Sequence, residues 1–334
     1  ERYWLKDFVT EQVNSSTNGK LAIGQLDGTI FTTLILSNTT YTYEKDTLLT
    51  AEKIEIKISP LRVLLKAIYV RKLEIENAKI ALLTDENGVL NLSKITNPPE
   101  EKVMEEVVTE TEPFSWKIDI SELNLININF KHQSLANKNS TASYPRPDMD
   151  DFRLDSLNLS LTADINIAAN EYQLKISDFS VKPNLTGFRL LNLSGNFILL
   201  NDIAGITDLN IITERSFVSL NAGISNFYLF TDDEFNIAES PIKLEMKAMN
   251  INFDDLTNFI DGTEILKGDV ETHLSAEGTL NHLNIKNLEV KLAETNLNAT
   301  GFLQNITDGD RMNINMNFKN SFINQDDVTS LLPD

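Results

Sequence analysis

Residues 157–167 read Leu157-Asn158-Leu159-Ser160-Leu161-Thr162-Ala163-Asp164-Ile165-Asn166-Ile167. Every odd position is apolar and every even one polar, a period of two that sends one set of side chains to each face of an extended strand. A strand of this kind belongs to a sheet that is wet on one side. The same alternation spreads outward in both directions. Upstream it runs through Leu123, Leu125, Ile128 and Phe130, and earlier through Leu49, Ala51, Ile54, Ile56 and Ile58. Downstream it passes Leu174 and Ile176, then Leu220, Ala222 and Ile224, then Ile242, Leu244, Met246 and Ala248. The last third adds Leu288, Val290 and Leu292, Leu297 and Ala299, and finally Ile314, Met316 and Phe318, whose polar partners Asn313, Asn315 and Asn317 are all asparagine. Parity slips at intervals, as between Ala51 and Ile54, and then resumes.

Alternating strands argue against a doubly wound parallel α/β fold, which has continuous apolar runs and regular intervening helices. The chain is therefore expected to be mainly β. Its 334 residues exceed one ordinary sandwich of about 100. Two sandwich domains separated by an acidic segment are one arrangement of that length. A repetitive array curled into an elongated, U-shaped groove, with an amphipathic N-terminal helix and a few short helical turns, fits the uninterrupted pattern better.

This reading divides the chain into four segments. Residues 1–18 form an amphipathic helix, with Trp4, Leu5, Phe8, Val9 and Val13 on one side. That helix either docks on the body of the protein or lies at a membrane interface, where Trp4, Leu5, Phe8 and Val9 are the candidate contacts. Residues 19–96 are a β region in which Asp85-Glu86-Asn87-Gly88 signals a hairpin and Pro60 opens a helical turn. Residues 97–113, with Pro98-Pro99 and a cluster of glutamates, read as an acidic linker or loop. Residues 114–334 continue the β array, with a short helical candidate at 253–260 and another at the end, beyond which the natural chain is expected to run on. With no initiating methionine or leader at Glu1, the chain is expected to be a piece of something longer.

Composition bears on chemistry. Acidic residues number 49 against 29 basic ones, and the net charge of -20 repels a phosphate backbone, so nucleic acid is not an expected partner. Cysteine is absent and histidine occurs three times, which leaves little material for a metal site or a nucleophilic dyad. Asp148, Asp150 and Asp151 lack the glycine and distal glutamate of a calcium loop. No catalytic residue, metal or cofactor is expected, and the chain is not read as an enzyme. No apolar run reaches the length of a membrane span.

One block has a more particular likeness. Gly28-Thr29-Ile30-Phe31, Leu49-Thr50-Ala51, Pro60-Leu61-Arg62-Val63-Leu64-Leu65 and Asn87-Gly88-Val89-Leu90-Asn91-Leu92 stand in the order that opens proteins of the AsmA-like family. Residues 19–96 resemble that opening, most nearly in the TamB-like members. The resemblance implies a protein anchored in the inner membrane of a diderm bacterium by a segment preceding residue 1. It implies a periplasmic β groove with an apolar interior, outer-membrane biogenesis as the setting, and an outer-membrane β-barrel assembly protein as partner.

The expected site is then the apolar parity itself: Leu123, Leu125, Ile128 and Phe130; Leu157, Leu159, Leu161 and Ile165; Leu174 and Ile176; Leu220 and Ile224; Leu244 and Met246; Leu288, Val290 and Leu292; Ile314 and Met316. Such a lining shields phospholipid acyl chains on their way between two membranes. The alternative expectation is an assembly module that holds an outer-membrane β strand by its edge or in the groove.

Overall fold

The computed structural model describes residues 2–29, 31–59, 70–96, 121–136, 143–166, 170–200, 202–227 and 236–331. The expected Pro60 turn and the acidic 97–113 segment lie outside them. Fifteen strands form one mixed sheet in chain order that is not closed into a barrel. They are β1 (Lys20–Gly28), β2 (Thr33–Tyr43), β3 (Asp46–Ile58), β4 (Val70–Thr84), β5 (Glu122–Ser134), β6 (Asp151–Asn166), β7 (Glu171–Pro183) and β8 (Leu190–Leu200). The remainder are β9 (Ile203–Thr213), β10 (Phe217–Ser225), β11 (Ile242–Asn252), β12 (Asp269–Thr279), β13 (His282–Leu292), β14 (Thr295–Gln304) and β15 (Asn313–Phe318). Four helices accompany them among the described residues: α1 (Arg2–Ser16), α2 (Asn91–Thr96), α3 (Phe253–Leu256) and α4 (Gln325–Leu331). The strands cluster into two compact units, residues 1–161 with 181–184, and residues 162–180 with 185–334.

In the first unit the parity slips have a common cause. Asn38, Asn77, Asn127 and Ser156 adopt left-handed φ angles of 50 to 55°. Register places Gly24 opposite Asn38, Asn38 opposite Glu52, Glu52 opposite Asn77 and Asn77 beside Asn127, so Asn38, Asn77 and Asn127 fall in one row across the sheet. A left-handed residue uses up one position without alternating, and asparagine tolerates that conformation better than most side chains. Apolar residues therefore step by two up to the row and by three across it, from Ile75 to Ala78 and from Leu125 to Ile128, and stay on one face. On the other face Asn77 Nδ2 donates to Glu52 Oε2 at 2.7 Å, and Asn127 Nδ2 donates to Asn77 Oδ1 at 2.7 Å.

Two core clusters lie on the apolar face of this unit. Leu5 of α1 packs with Ile23, Leu26, Leu34, Leu36 and Ile58, supported by Val9. Ala51, Ala78 and Ile128 form the second, against Leu49, Ile75, Leu125 and Leu157.

Two local expectations are corrected. The Asp85–Gly88 turn forms, with Gly88 at φ 78° and Asp85 Oδ1 accepting the Asn87 and Val89 amides. The chain does not return as a strand: it makes a single bridge, Thr84↔Leu90, and enters α2. That flank of β4 pairs instead with β5, in parallel, from Lys72↔Glu122 to Thr84↔Ser134. A parallel neighbour requires a crossover connection, not a tight turn. In the second unit, the helix expected over 253–260 is a single turn, α3. Asn252 caps it, and Phe259 and Ile260 beyond it are exposed.

In the second unit the slips fall at register shifts, one of them at a left-handed residue, Asp208 at φ 52°. Pairing shifts by one residue at Asp208 in β9, between Ala248 and Ile251 in β11, and between Ile285 and Leu288 in β13. Bulges bend the strand that carries them and raise its twist. At one end of these strands Arg215 binds Asp255 through Nη2 at 2.7 Å and Nε at 3.0 Å, while the Thr213 and Ser216 hydroxyls donate to the other carboxylate oxygen. Asp255 is buried, so four hydrogen bonds offset its desolvation and pin α3 to the β9–β10 turn.

Candidate functional site

Residues opposite one another in a sheet share a face, so register decides whether the expected lining residues come together. In the second unit they do. Leu220 opposes Met246, Ala222 opposes Leu244, and Ile224 opposes Ile242. Met246 then meets Leu274, which meets Leu288, which meets Ala299, which meets Phe318. A second row runs Leu244, Ala276, Ile285, Gly301 and Met316. Val290 opposes Leu297, Leu292 opposes Thr295, and Leu303 opposes Ile314. At about 4.8 Å per strand, the longer row extends roughly 24 Å from β10 to β15.

The burial of these rows is uneven in an informative way. The small residues Ala248, Ala276 and Ala299, together with Leu209 and Ile285, are buried. Leu220, Ile224, Leu244, Met246, Leu288, Val290, Leu292 and Met316 are only half-buried, and Ile314 is exposed. Buried alanines flanked by accessible long side chains describe an apolar surface with a low floor, not the sealed interior between two packed sheets, where large side chains are the most buried.

In the first unit Leu123 opposes Leu73, Leu125 opposes Ile75 and Phe130 opposes Ile80. Phe130 also meets Phe152 edge-on at 6.4 Å. Leu157, Leu159 and Leu161 are half-buried on β6; in the second unit Leu174 and Ile176 on β7 are half-buried and Ile165 is exposed. Ile128 is different: at 2% exposure it is core and offers no surface to a ligand. The helix divides its apolar side chains as well. Leu5 and Val9 pack on the sheet, while Trp4 and Phe8, 6.3 Å apart, remain exposed. Reading all five apolar residues as one side missed that split: a 100° step per residue separates Leu5 from Trp4 and Val9 from Phe8.

The opposite face is polar and ion-paired. In the first unit Lys53 reaches Glu55, Glu74 and Glu76, and Lys72 reaches Glu74 at 2.9 Å. The Lys72 ammonium, with that of Lys53, pushes the Glu74 carboxyl down to about 2, and hydrogen bonding to Glu76 first of all holds Lys53 above the ordinary lysine range. In the second unit Lys286 bonds Glu277 at 2.8 Å and lowers its pKa. A depression of about 360 Å³ at Lys247, Glu271, His273, Glu289 and Lys291 carries both signs of charge. Among the described residues no group of three His, Asp or Glu side chains is placed to hold a metal ion, and no helix is long and apolar enough to cross a membrane. No family model matches the chain, and no curated protein matches it.

Proposed function

We propose that this chain is a non-enzymatic carrier of phospholipid acyl chains, working in the periplasm as part of a bridge between inner and outer membranes. The observation that carries the reading is the set of apolar rows in the second unit, whose large side chains stay half-buried although all fifteen strands belong to one sheet. Burying each methylene contributes roughly 0.8 kcal/mol, so an acyl chain laid on such rows is held strongly in total. Leu220, Leu274 and Leu288 recur strand after strand with similar surroundings. Repetition of near-equal sites leaves no deep minimum, and a chain can slide. On the opposite face of the first unit Lys53 and Lys72 are paired with Glu55, Glu74 and Glu76, which leaves the lipid contacts to the apolar side.

The resemblance of residues 19–96 to the AsmA-like family, and within it to TamB, supports the same reading. It supplies the proposed setting: an inner-membrane anchor preceding residue 1 and a β-barrel assembly protein in the outer membrane. Phospholipid is the proposed cargo. No cofactor and no nucleic acid enters the proposal.

The test is lipid retained by the purified chain, compared across three proteins. The wild type is expected to carry phospholipid in extractable amounts. Met246→Lys, on the half-buried face, is expected to lose most of it while its unfolding free energy changes by about 1 kcal/mol or less. Ile128→Ala, in the core, is expected to lose about 2–4 kcal/mol of stability and keep its lipid while folded. Absence of lipid from the wild type, or equal retention by Met246→Lys, contradicts the proposal. Crosslinking of the chain to nascent barrel strands without lipid would favour the assembly role.

A further inference from the structure

The dipeptide Asn-Gly occurs twice in the chain, at Asn18-Gly19 and at Asn87-Gly88. Glycine has no Cβ to shield its backbone nitrogen, so that nitrogen can reach the side-chain carbonyl carbon of the asparagine before it. The two copies sit in opposite surroundings. Asn18 is tied twice to α2: its amide donates to the Ile95 carbonyl at 3.2 Å, and its Nδ2 donates to the Lys94 carbonyl at 2.8 Å. Gly19 is buried, and its backbone lies so close to the Tyr41 ring that a Cβ there would collide with it. Asn87 and Gly88, by contrast, are both exposed at the tip of the turn after β4, and no atom lies within 4 Å of where a Gly88 Cβ would stand. The Asn87 side chain has no hydrogen-bond partner among the described residues. The Gly88 amide is held by one bond, to the Asp85 carbonyl at 3.0 Å. Exposed turn tips of this kind open readily.

We propose that Asn87 is a site of spontaneous deamidation and backbone isomerisation, and that the fold protects Asn18 from the same reaction. Once the bond to Asp85 opens, the Gly88 nitrogen attacks Asn87 Cγ. A new C–N bond forms, the Cγ–Nδ2 bond breaks, and Nδ2 leaves as ammonia with the proton that the Gly88 nitrogen gives up. Solvent water then opens the resulting succinimide ring, and no electrons are exchanged with any other group. Opening at Cγ leaves aspartate; opening at the backbone carbonyl leaves isoaspartate, whose chain runs through Cβ and Cγ. The consequence follows from what this turn holds. Asp85 Oδ1 accepts the Asn87 and Val89 amides at 2.9 and 3.0 Å, and Asp85 Oδ2 accepts Lys94 Nζ of α2 at 2.7 Å. An extra backbone atom after position 87 moves Val89 out of that arrangement and sets a new carboxylate beside Asp85 and Glu86. Lys94 and Ile95 are also the residues that hold Asn18, so the modification loosens the join between α1 and β1.

Peptide mass spectrometry of the full chain, incubated at mildly alkaline pH with and without urea, tests the proposal. Each event raises the mass of its peptide by about 1 Da, and enzymatic methylation of isoaspartate marks the isomerised product. In the folded chain the reaction is expected to be at least about tenfold faster at Asn87 than at Asn18, because two bonds to α2 must open before Asn18 is free. In urea the two sites are expected to react at similar rates. Asn87→Gln, which would have to close a larger ring, is expected to remove the reaction at 87. Amide exchange at Asn18 and Val89 is expected to rise in the isoaspartate form, while Asn87→Asp, with the same charge and a normal backbone, keeps wild-type exchange. Equal rates at 18 and 87 in the folded chain, or an Asn87 that reacts in urea and not in the folded chain, overturns the proposal; unchanged exchange at Asn18 in the isoaspartate form overturns its link to α2.

Discussion

Asn77 stands at φ 50°, opposite Glu52 and beside Asn127, and bonds to both through its side chain. Two physical demands meet at this position: a backbone conformation that costs most L-residues about 1–2 kcal/mol, and a side chain able to donate and accept along the row. They separate by mutation. Asn77→Gly keeps the conformation and loses the bonds, so it is expected to cost about 1 kcal/mol; Asn77→Val loses both and is expected to cost about 2–3 kcal/mol in urea unfolding. Glu74 gives a second prediction on the same face. Its carboxyl is pushed down to about 2, chiefly by the Lys72 hydrogen bond. An acid whose folded pKa is depressed adds stability that is complete above the ordinary glutamate range and fades as pH falls toward about 2. Glu74→Gln is thus expected to lower stability by no more than about 1 kcal/mol at neutral pH, with the gap to wild type closing in acid. Urea midpoints at several pH values check this. In the sequence, the asparagines read only as polar positions of strands. The parity slips beside them were visible, but their alignment into one row depends on register between strands far apart in the chain.

Elements were legible in proportion to the length of their alternation. The run from Leu157 to Ile165 and that from Ile242 to Ala248 are strands as expected, because a period of two over seven or more residues argues for a half-buried strand. Short signals fared worse. Asn87-Gly88 makes its turn, but the course of the chain beyond Gly88 is decided by β5 pairing with β4 in parallel, a contact between residues 50 apart in sequence. Phe253, Leu256 and Ile260 have helical spacing, yet the helix stops after one turn, with Asp255 fixed by Arg215 and Ile260 exposed. The N-terminal helix joins local pattern to packing. Leu5 and Val9 are its contact with the sheet, and Asn14 and Lys6 cover the β1 backbone. Leu5→Asp is expected to release α1 without unfolding the sheet. Amide exchange at Leu21 should then rise by more than tenfold while exchange in β3 and β4 stays near wild type, a pattern hydrogen–deuterium exchange resolves residue by residue.

At the scale of the molecule, the sequence carried the apolar face but not which of its members are accessible. Ile128 and Leu288 have the same chemistry and the same parity signal. One is sealed under Leu125 and Leu157, and the other lies half-open between Leu274 and Ala299. Burial depends on what neighbouring strands place alongside, and alternation does not encode it. In the second unit the rows with Ala248, Ala276 and Ala299 buried and Leu220, Leu244, Met246 and Leu288 half-buried leave an apolar surface that meets either water or a ligand. The central claim is that the ligand is a lipid acyl chain held on that face alone. A photo-crosslinking amino acid placed in turn at Leu244 and Leu288, on the apolar rows, and at their sequence neighbours Glu245 and Glu289, on the polar face, tests it most directly in cells fed labelled phospholipid precursors. The account predicts labelled lipid attached at 244 and 288 and none at 245 and 289; equal labelling of the two faces, or no lipid at 244 and 288 in a folded protein, would contradict it.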